Sequence, residues 1–144
     1  MIDLFNRQVV GFAMGDRMGA QLAADALRTA WFRRRPAAGL IFHSDRGSQY
    51  AGNLFAAQIK AFGMRASMSR KGDCWDNAVA ESLFGSLKGE SLDRHDFGTR
   101  CAASDEIMAW ITAHNHTRLH STPGHLGPMQ FEKKWLAGTE VKAA

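Results

Sequence analysis

Phe42-His43-Ser44-Asp45-Arg46-Gly47-Ser48-Gln49-Tyr50 is the stretch that decides the fold. Its lead-in, Leu40-Ile41-Phe42-His43, is apolar without alternation, as expected of a strand buried on both faces. The run stops at an acid. Asp45 therefore stands at the carboxyl end of a strand, where open α/β sheets place their ligands, and Ser44, Gly47 and Ser48 leave room beside it. A second acid, Glu81, lies in Asp76-Asn77-Ala78-Val79-Ala80-Glu81-Ser82-Leu83-Phe84, and the 35 residues 46–80 separate the two. Two carboxylates drawn together from distant positions can hold divalent cations for phosphoryl transfer. Taken alone the pair is a weak signal, because Asp-Arg-Gly also opens ordinary turns and an exposed helical Glu is commonplace.

Outward from Asp45, the chain alternates between strand and helix patterns. Met1 to Leu4 and Gln8 to Met14 read as the arms of a hairpin, with Asn6 tolerating the turn conformation. Arg17 to Arg34 reads as a helix, with Leu22, Ala26, Leu27, Ala30 and Trp31 at three-to-four spacing. Arg33-Arg34-Arg35 suits the negative end of its dipole, and Pro36 stops it. Gly52 to Phe62 is a second helix with Gly63 at its C-cap, and Met64 to Met68 is a strand candidate. Helices follow at Asp73 to Glu90, Thr99 to Arg118 and Pro128 to Leu136, the last with proline in its first turn. This order predicts an α/β layer fold, with a core over residues 1–136 and a tail over 137–144.

The residues around the acids carry a resemblance. His43 to Tyr50, Ser69-Arg70-Lys71-Gly72-Asp73-Cys74-Trp75-Asp76-Asn77-Ala78-Val79-Ala80-Glu81-Ser82 and Asn115-His116-Thr117-Arg118-Leu119-His120-Ser121 together resemble the retrovirus-like integrase core of bacterial insertion-sequence transposases. The resemblance covers nearly the whole chain. It implies a ribonuclease H-like fold, a mixed sheet flanked by helices, and three acids, Asp, Asp and Glu, with the same interval between the last two. It also implies cutting and joining of DNA with Mg2+ or Mn2+ at a two-metal site. Asp45 and Glu81 match the second and third acids, as catalytic residues and metal ligands, and Lys88 matches a basic residue that touches DNA. The first acid lies in such cores on a strand upstream of the segment corresponding to Met1-Ile2-Asp3-Leu4-Phe5. The expectation is therefore a core incomplete at its N-terminus, without its first, central strand. Loss of that strand would remove stabilisation comparable to the roughly 5–15 kcal/mol that holds a domain together. The chain alone is expected to be inactive, and two metals are expected only in the complete core. The alternative is a catalytically dead remnant that binds DNA or inhibits a full-length transposase. A ribonuclease H-like nuclease of another sort fits less well, since the Ser69 to Glu81 signature is not required of it.

On the helix, Asn77, Glu81 and Lys88 fall within about 60° of one another, a polar stripe that places Asn77 near the carboxylate and Lys88 near a docked phosphate. Arg70 and Lys71, in a glycine-containing loop just before the helix, are placed to meet phosphates. Arg70, Lys71, Asn77 and Lys88 are thus the DNA-binding candidates. A solvated basic loop is the plain reading of the first two. Trp75 is read as anchoring the helix to the core. His114, His116, His120 and His125 do not form a zinc site: 114 and 116 point about 160° apart on a helix, and no cysteine or acid joins them.

With 144 residues the chain can bury the core of one domain. A net charge of +4 allows a polyanionic partner without requiring one. The expected partners are DNA, as transposon ends and target, and a second copy or a full-length transposase. Cys74 and Cys101 fit no zinc spacing and point to a reduced, cytosolic setting, and the resemblance implies that this is the cytoplasm of a bacterium. No run approaches the ~20 apolar residues of a membrane span, and Met1-Ile2-Asp3 does not begin a signal peptide.

Overall fold

A computed structural model describes residues 1–69, 77–120 and 124–140. The elements in chain order are α1 (Ala20–Arg34), β1 (Ile41–Ser44), α2 (Ser48–Ala51), α3 (Asn53–Ala61), β2 (Arg65–Met68), α4 (Ala78–Glu90), α5 (Arg100–His116) and α6 (Pro128–Glu140). A single 3-10 turn, Leu92–Arg94, lies between α4 and α5. The chain divides into two compact units: Met1 with Val10–Leu83, and Ile2–Val9 with Phe84–Ala144. Among the described residues no helix is long and apolar enough to cross a membrane.

In the first unit β1 and β2 pair in parallel, with Phe42 opposite Ala66 and His43 opposite Ser67. The parallel link is a crossover through α2 and α3, the arrangement that parallel neighbours require. Ala24, Leu27, Phe55 and Ile59 form the core, with Phe42, Tyr50, Phe62 and Met64 packed against it. Phe55 meets the rings of Phe42 and Tyr50 at 5.2 and 5.3 Å. The alanines of α1 are what admit the chain's first segment. A Cβ on Gly11 would stand 2.5 Å from Ala30 N and 2.6 Å from Ala26 O. Only glycine lets this segment lie directly on the helix backbone.

The expectation of a strand buried on both faces is corrected here. Alternation sends Phe42 and Ser44 to one face of β1 and Ile41 to the other. Phe42 joins the core, whereas Ile41 is 59% exposed and the preceding Leu40 is exposed as well. An apolar run states how much the strand would bury, but not which faces its neighbours cover.

α3 ends as expected, in a full Schellman motif. Gly63 has φ +66°, its N–H donates to Lys60 O, and Met64 N–H donates to Ile59 O, both at 3.0 Å. α1 stops in a less expected way. Arg35 itself takes the left-handed conformation at φ +44°, and its guanidinium lies 4.5 Å from the rings of both Trp31 and Phe32. Cation–π contact thus holds the strained residue in place.

In the second unit the expected hairpin shrinks to one antiparallel bridge, Ile2 with Val9. Its turn residue is Arg7 at φ +66°, where the sequence suggested Asn6. Asn6 is fully buried, and its Oδ1 accepts the Gln8 N–H at 2.9 Å. The amide therefore serves the turn through its side chain, leaving the left-handed conformation to its neighbour. α5 begins at an N-cap, Thr99, whose hydroxyl accepts from Ala102 N. α6 runs to Glu140, past the expected end at Leu136. Phe5 packs on Phe131 and Trp135 of α6, each ring centre 5.2 Å away.

Candidate functional site

Asp45 directly follows β1 and is exposed. Its Oδ1 accepts the Gly47 N–H at 2.9 Å, so the acid does open the turn that Asp-Arg-Gly suggests. That turn fixes the carboxylate at the strand end, which a ligand role also requires. Tyr50, one turn further on, has its hydroxyl pKa raised, by burial first and by the charge of Asp45 second. Glu81 sits exposed in the first turn of α4, where the helix dipole favours negative charge. Both acids belong to the first unit.

Hydrogen bonds connect the strand end to the helix start. Ser69, just past β2, is 3% exposed. Its N–H donates to Ser44 O at 3.0 Å, extending the ladder to the residue before Asp45. Asn77, the residue before α4, donates from Nδ2 to Ser69 Oγ at 3.1 Å. Arg46 donates from Nε to Ser69 O at 3.0 Å. The chain from Asp45 to Glu81 is thus tied at Ser44, Ser69 and Asn77.

Lys88 is exposed in the last turn of α4, seven residues after Glu81, and lies in the second unit. Arg70 and Lys71 lie outside the described residues, as do Cys74, Trp75 and Ser121. Asp45 and Glu81 offer hard carboxylate oxygens, which suit Mg2+ or Mn2+. Among the described residues no group of three or more His, Cys, Asp or Glu side chains is placed to hold a metal.

Sequence reasoning missed His43, Ser67 and Ser69 as a polar group. His43 faces Ser67 across the strand pair, and its ring nitrogens lie 3.0 Å from Ser67 Oγ and 3.1 Å from Ser69 Oγ. Two serines at alternate positions, Ser67 in β2 and Ser69 just past it, were the available signal, but the partner strand has to be known before it can be read.

The closing segment is structural. Asn115 is buried and binds the Val9 backbone through both ends of its amide. Arg118 pairs with Glu90, which also accepts from Trp110 Nε1 at 3.0 Å. His114 and His120 meet ring to ring at 4.7 Å.

A strand leading into an acid, a crossover, a parallel partner and a later helix bearing a second acid make up the first unit, and two family models place the chain. Residues 1–74 and residues 62–128 each match an integrase core domain. The chain belongs to the integrase core domain family. Its relatives are proteins of bacterial insertion sequences. It is 45% identical over 138 residues to the transposase InsF for insertion sequence IS3A of Escherichia coli strain K12, covering 95% of this chain and 48% of that protein. It is 42% identical over 134 residues to the insertion element IS600 uncharacterized 31 kDa protein of Shigella sonnei, covering 92% and 49%. The chain thus spans about half the length of the curated relatives it matches. Its fold is shared with a chain of the simian T-cell lymphotropic virus intasome, solved by cryo-electron microscopy in complex with PP2A regulatory subunit B56 gamma. The TM-score is 0.66 at 16% identity, over 81% of this chain and 41% of that one. The expected ribonuclease H-like, integrase-type α/β fold is the observed one.

Proposed function

We propose that this chain is part of a transposase core that cuts and joins DNA strands during transposition, with Asp45 and Glu81 as two of its catalytic, metal-binding acids. The observation that carries the reading is the tie from Ser44 through Ser69 to Asn77, which couples the strand end bearing Asp45 to the helix bearing Glu81. The insertion-sequence relatives support it. A divalent cation, Mg2+ or Mn2+, would supply Lewis-acid stabilisation of the attacking and leaving oxygens of a phosphodiester. The chain's own part is to hold the two carboxylates and to guide DNA phosphates with Lys88, Arg70, Lys71 and Asn77. The partners are transposon ends and target DNA, together with a second copy or a full-length transposase, in the bacterial cytoplasm. Residues 1–136 form the core in this reading, and 137–144 its tail.

The family pattern calls for three acids and this sequence matches two, so the chain alone does not turn over DNA. The alternative reading is a remnant that binds DNA, which the net charge of +4 allows, or that interferes with a full-length transposase. Mn2+ titration followed by electron paramagnetic resonance tests the acid site. Asp45→Asn and Glu81→Gln should each weaken binding about tenfold or more. Equal affinity in both variants and the parent would exclude these acids as ligands. Incubation with end-sequence oligonucleotides and Mg2+ should leave them intact, and nicking abolished by Glu81→Gln would show that a third ligand is present.

A further inference from the structure

Ser69 carries more hydrogen bonds than a buried serine at a strand end needs. Its hydroxyl oxygen lies 3.3 Å from Ser44 O, 3.1 Å from Asn77 Nδ2 and 3.1 Å from His43 Nε2. A hydroxyl has one proton to donate and two lone pairs with which to accept. With that proton directed to the Ser44 carbonyl, the lone pairs take Asn77 Nδ2–H and His43 Nε2–H. His43 then accepts the Ser67 hydroxyl at Nδ1, 3.0 Å away. Both ring nitrogens of His43 and the hydroxyls of Ser67 and Ser69 are thereby satisfied, and Arg46 closes the group from outside through Ser69 O at 3.0 Å. The group joins β1, β2 and the residue preceding α4 at one point, on the acid-bearing edge of the strand pair.

We propose that His43 and Ser69 are positioning residues for the Asp45 and Glu81 site, with Ser69 Oγ the hub that fixes the first turn of α4 against the end of β1. The proposal rests on the acid-site reading above. Neither side chain needs to touch metal or DNA. Their role is to leave the two carboxylates a single arrangement, because a fully satisfied polar network in a partly buried setting specifies geometry. Ser69 with no hydroxyl frees the Asn77 amide, and the start of α4 then keeps no side-chain tie to the strands through this group.

Hydrogen exchange on the whole chain reads the hub without metal. Ser69→Ala should speed exchange of the Glu81 to Leu83 amides about fivefold or more, the effect of losing one hydrogen bond's worth of local protection. Amides of α1 and α3 should keep their rates, and Ser69→Thr, which retains the hydroxyl, should restore the parent pattern. Asn77→Ala cuts only the helix link and leaves the strand pair whole, so it should release the same amides. Unchanged rates at 81–83 in both variants would overturn the proposal. So would a uniform rise across residues 10–83 in both, which marks plain loss of stability. Mn2+ titration separates the two readings. No binding by the parent chain overturns the acid site and this role with it. Tight binding by the parent and equal binding by Ser69→Ala overturns the positioning role alone.

Discussion

Asn115 completes both hydrogen bonds of the Val9 backbone: its Oδ1 accepts from Val9 N at 2.8 Å, and its Nδ2 donates to Val9 O at 3.0 Å. A helix side chain thus stands in for a neighbouring strand, and both residues are at most 3% exposed. Asn115→Ala leaves a buried donor and a buried acceptor unpaired. It should cost roughly 2–4 kcal/mol, read as a drop in the urea midpoint. Asn115→Asp keeps the acceptor but sets an anion against the Val9 carbonyl, and it should rescue little of that loss.

The buried His114 predicts loss of stability on mild acidification. Its Nε2–H donates to Arg7 O at 3.0 Å, while Nδ1 has no partner among the described residues. Burial lowers its pKa below the ordinary 6.5, and His120 is lowered too, by burial and then by its charged neighbours, His114 first. The unfolded chain therefore takes up these protons first as pH falls. Stability is complete above about pH 6.5 and declines as pH drops through the folded-state values. Melting temperatures measured between about pH 5 and 8 should show this slope. His114→Gln, which retains a donor for Arg7 O, should flatten it.

Glu90 predicts a second, smaller acid effect. The Arg118 hydrogen bond is the main cause holding its carboxyl below the ordinary 4.5, so its contribution is present above that pH and is lost as pH falls below it. Arg118 also reaches Ser86 at 3.3 Å and lies 5.9 Å from the centre of the Trp110 ring. Both charged side chains are about one-third exposed or more. A double-mutant cycle with Glu90→Gln and Arg118→Ala should return a coupling of roughly 0.2–1 kcal/mol, shrinking with added salt.

Two glycines should differ in cost. Gly11→Ala drives a methyl into the backbone of α1 at Ala26 and Ala30, which cannot yield as a side chain can. A loss of roughly 1–3 kcal/mol follows from overpacking. Gly63→Ala meets nothing closer than 3.4 Å and is penalised only for its φ of +66°, by roughly 1 kcal/mol. Thermal unfolding of the two variants should rank them in that order.

Lys88→Ala should weaken binding of duplex DNA about equally for all sequences and lower the salt slope by about one unit. Because Lys88 is exposed, stability should move by less than about 0.5 kcal/mol. An unchanged salt slope would take Lys88 out of the DNA path.

The sequence by itself determined the α/β class, the helix that ends at Gly63, the strand that ends at Asp45 and the helix that presents Glu81. Each is a local matter: apolar period, a residue able to hold a left-handed turn, an acid breaking an apolar run. The tertiary structure decided what needs a partner from elsewhere in the chain. Ile41 reads as core and is exposed, because apolarity does not say which face of a strand is covered. Asn6 reads as the turn residue, yet it is buried and hands that conformation to Arg7. Asn115 is one polar residue among many until Val9 is set beside it. His43, Ser67 and Ser69 become a network only when the parallel register of β1 and β2 lays one strand beside the other, since hydrogen bonds are short and directional and sequence distance carries no trace of them.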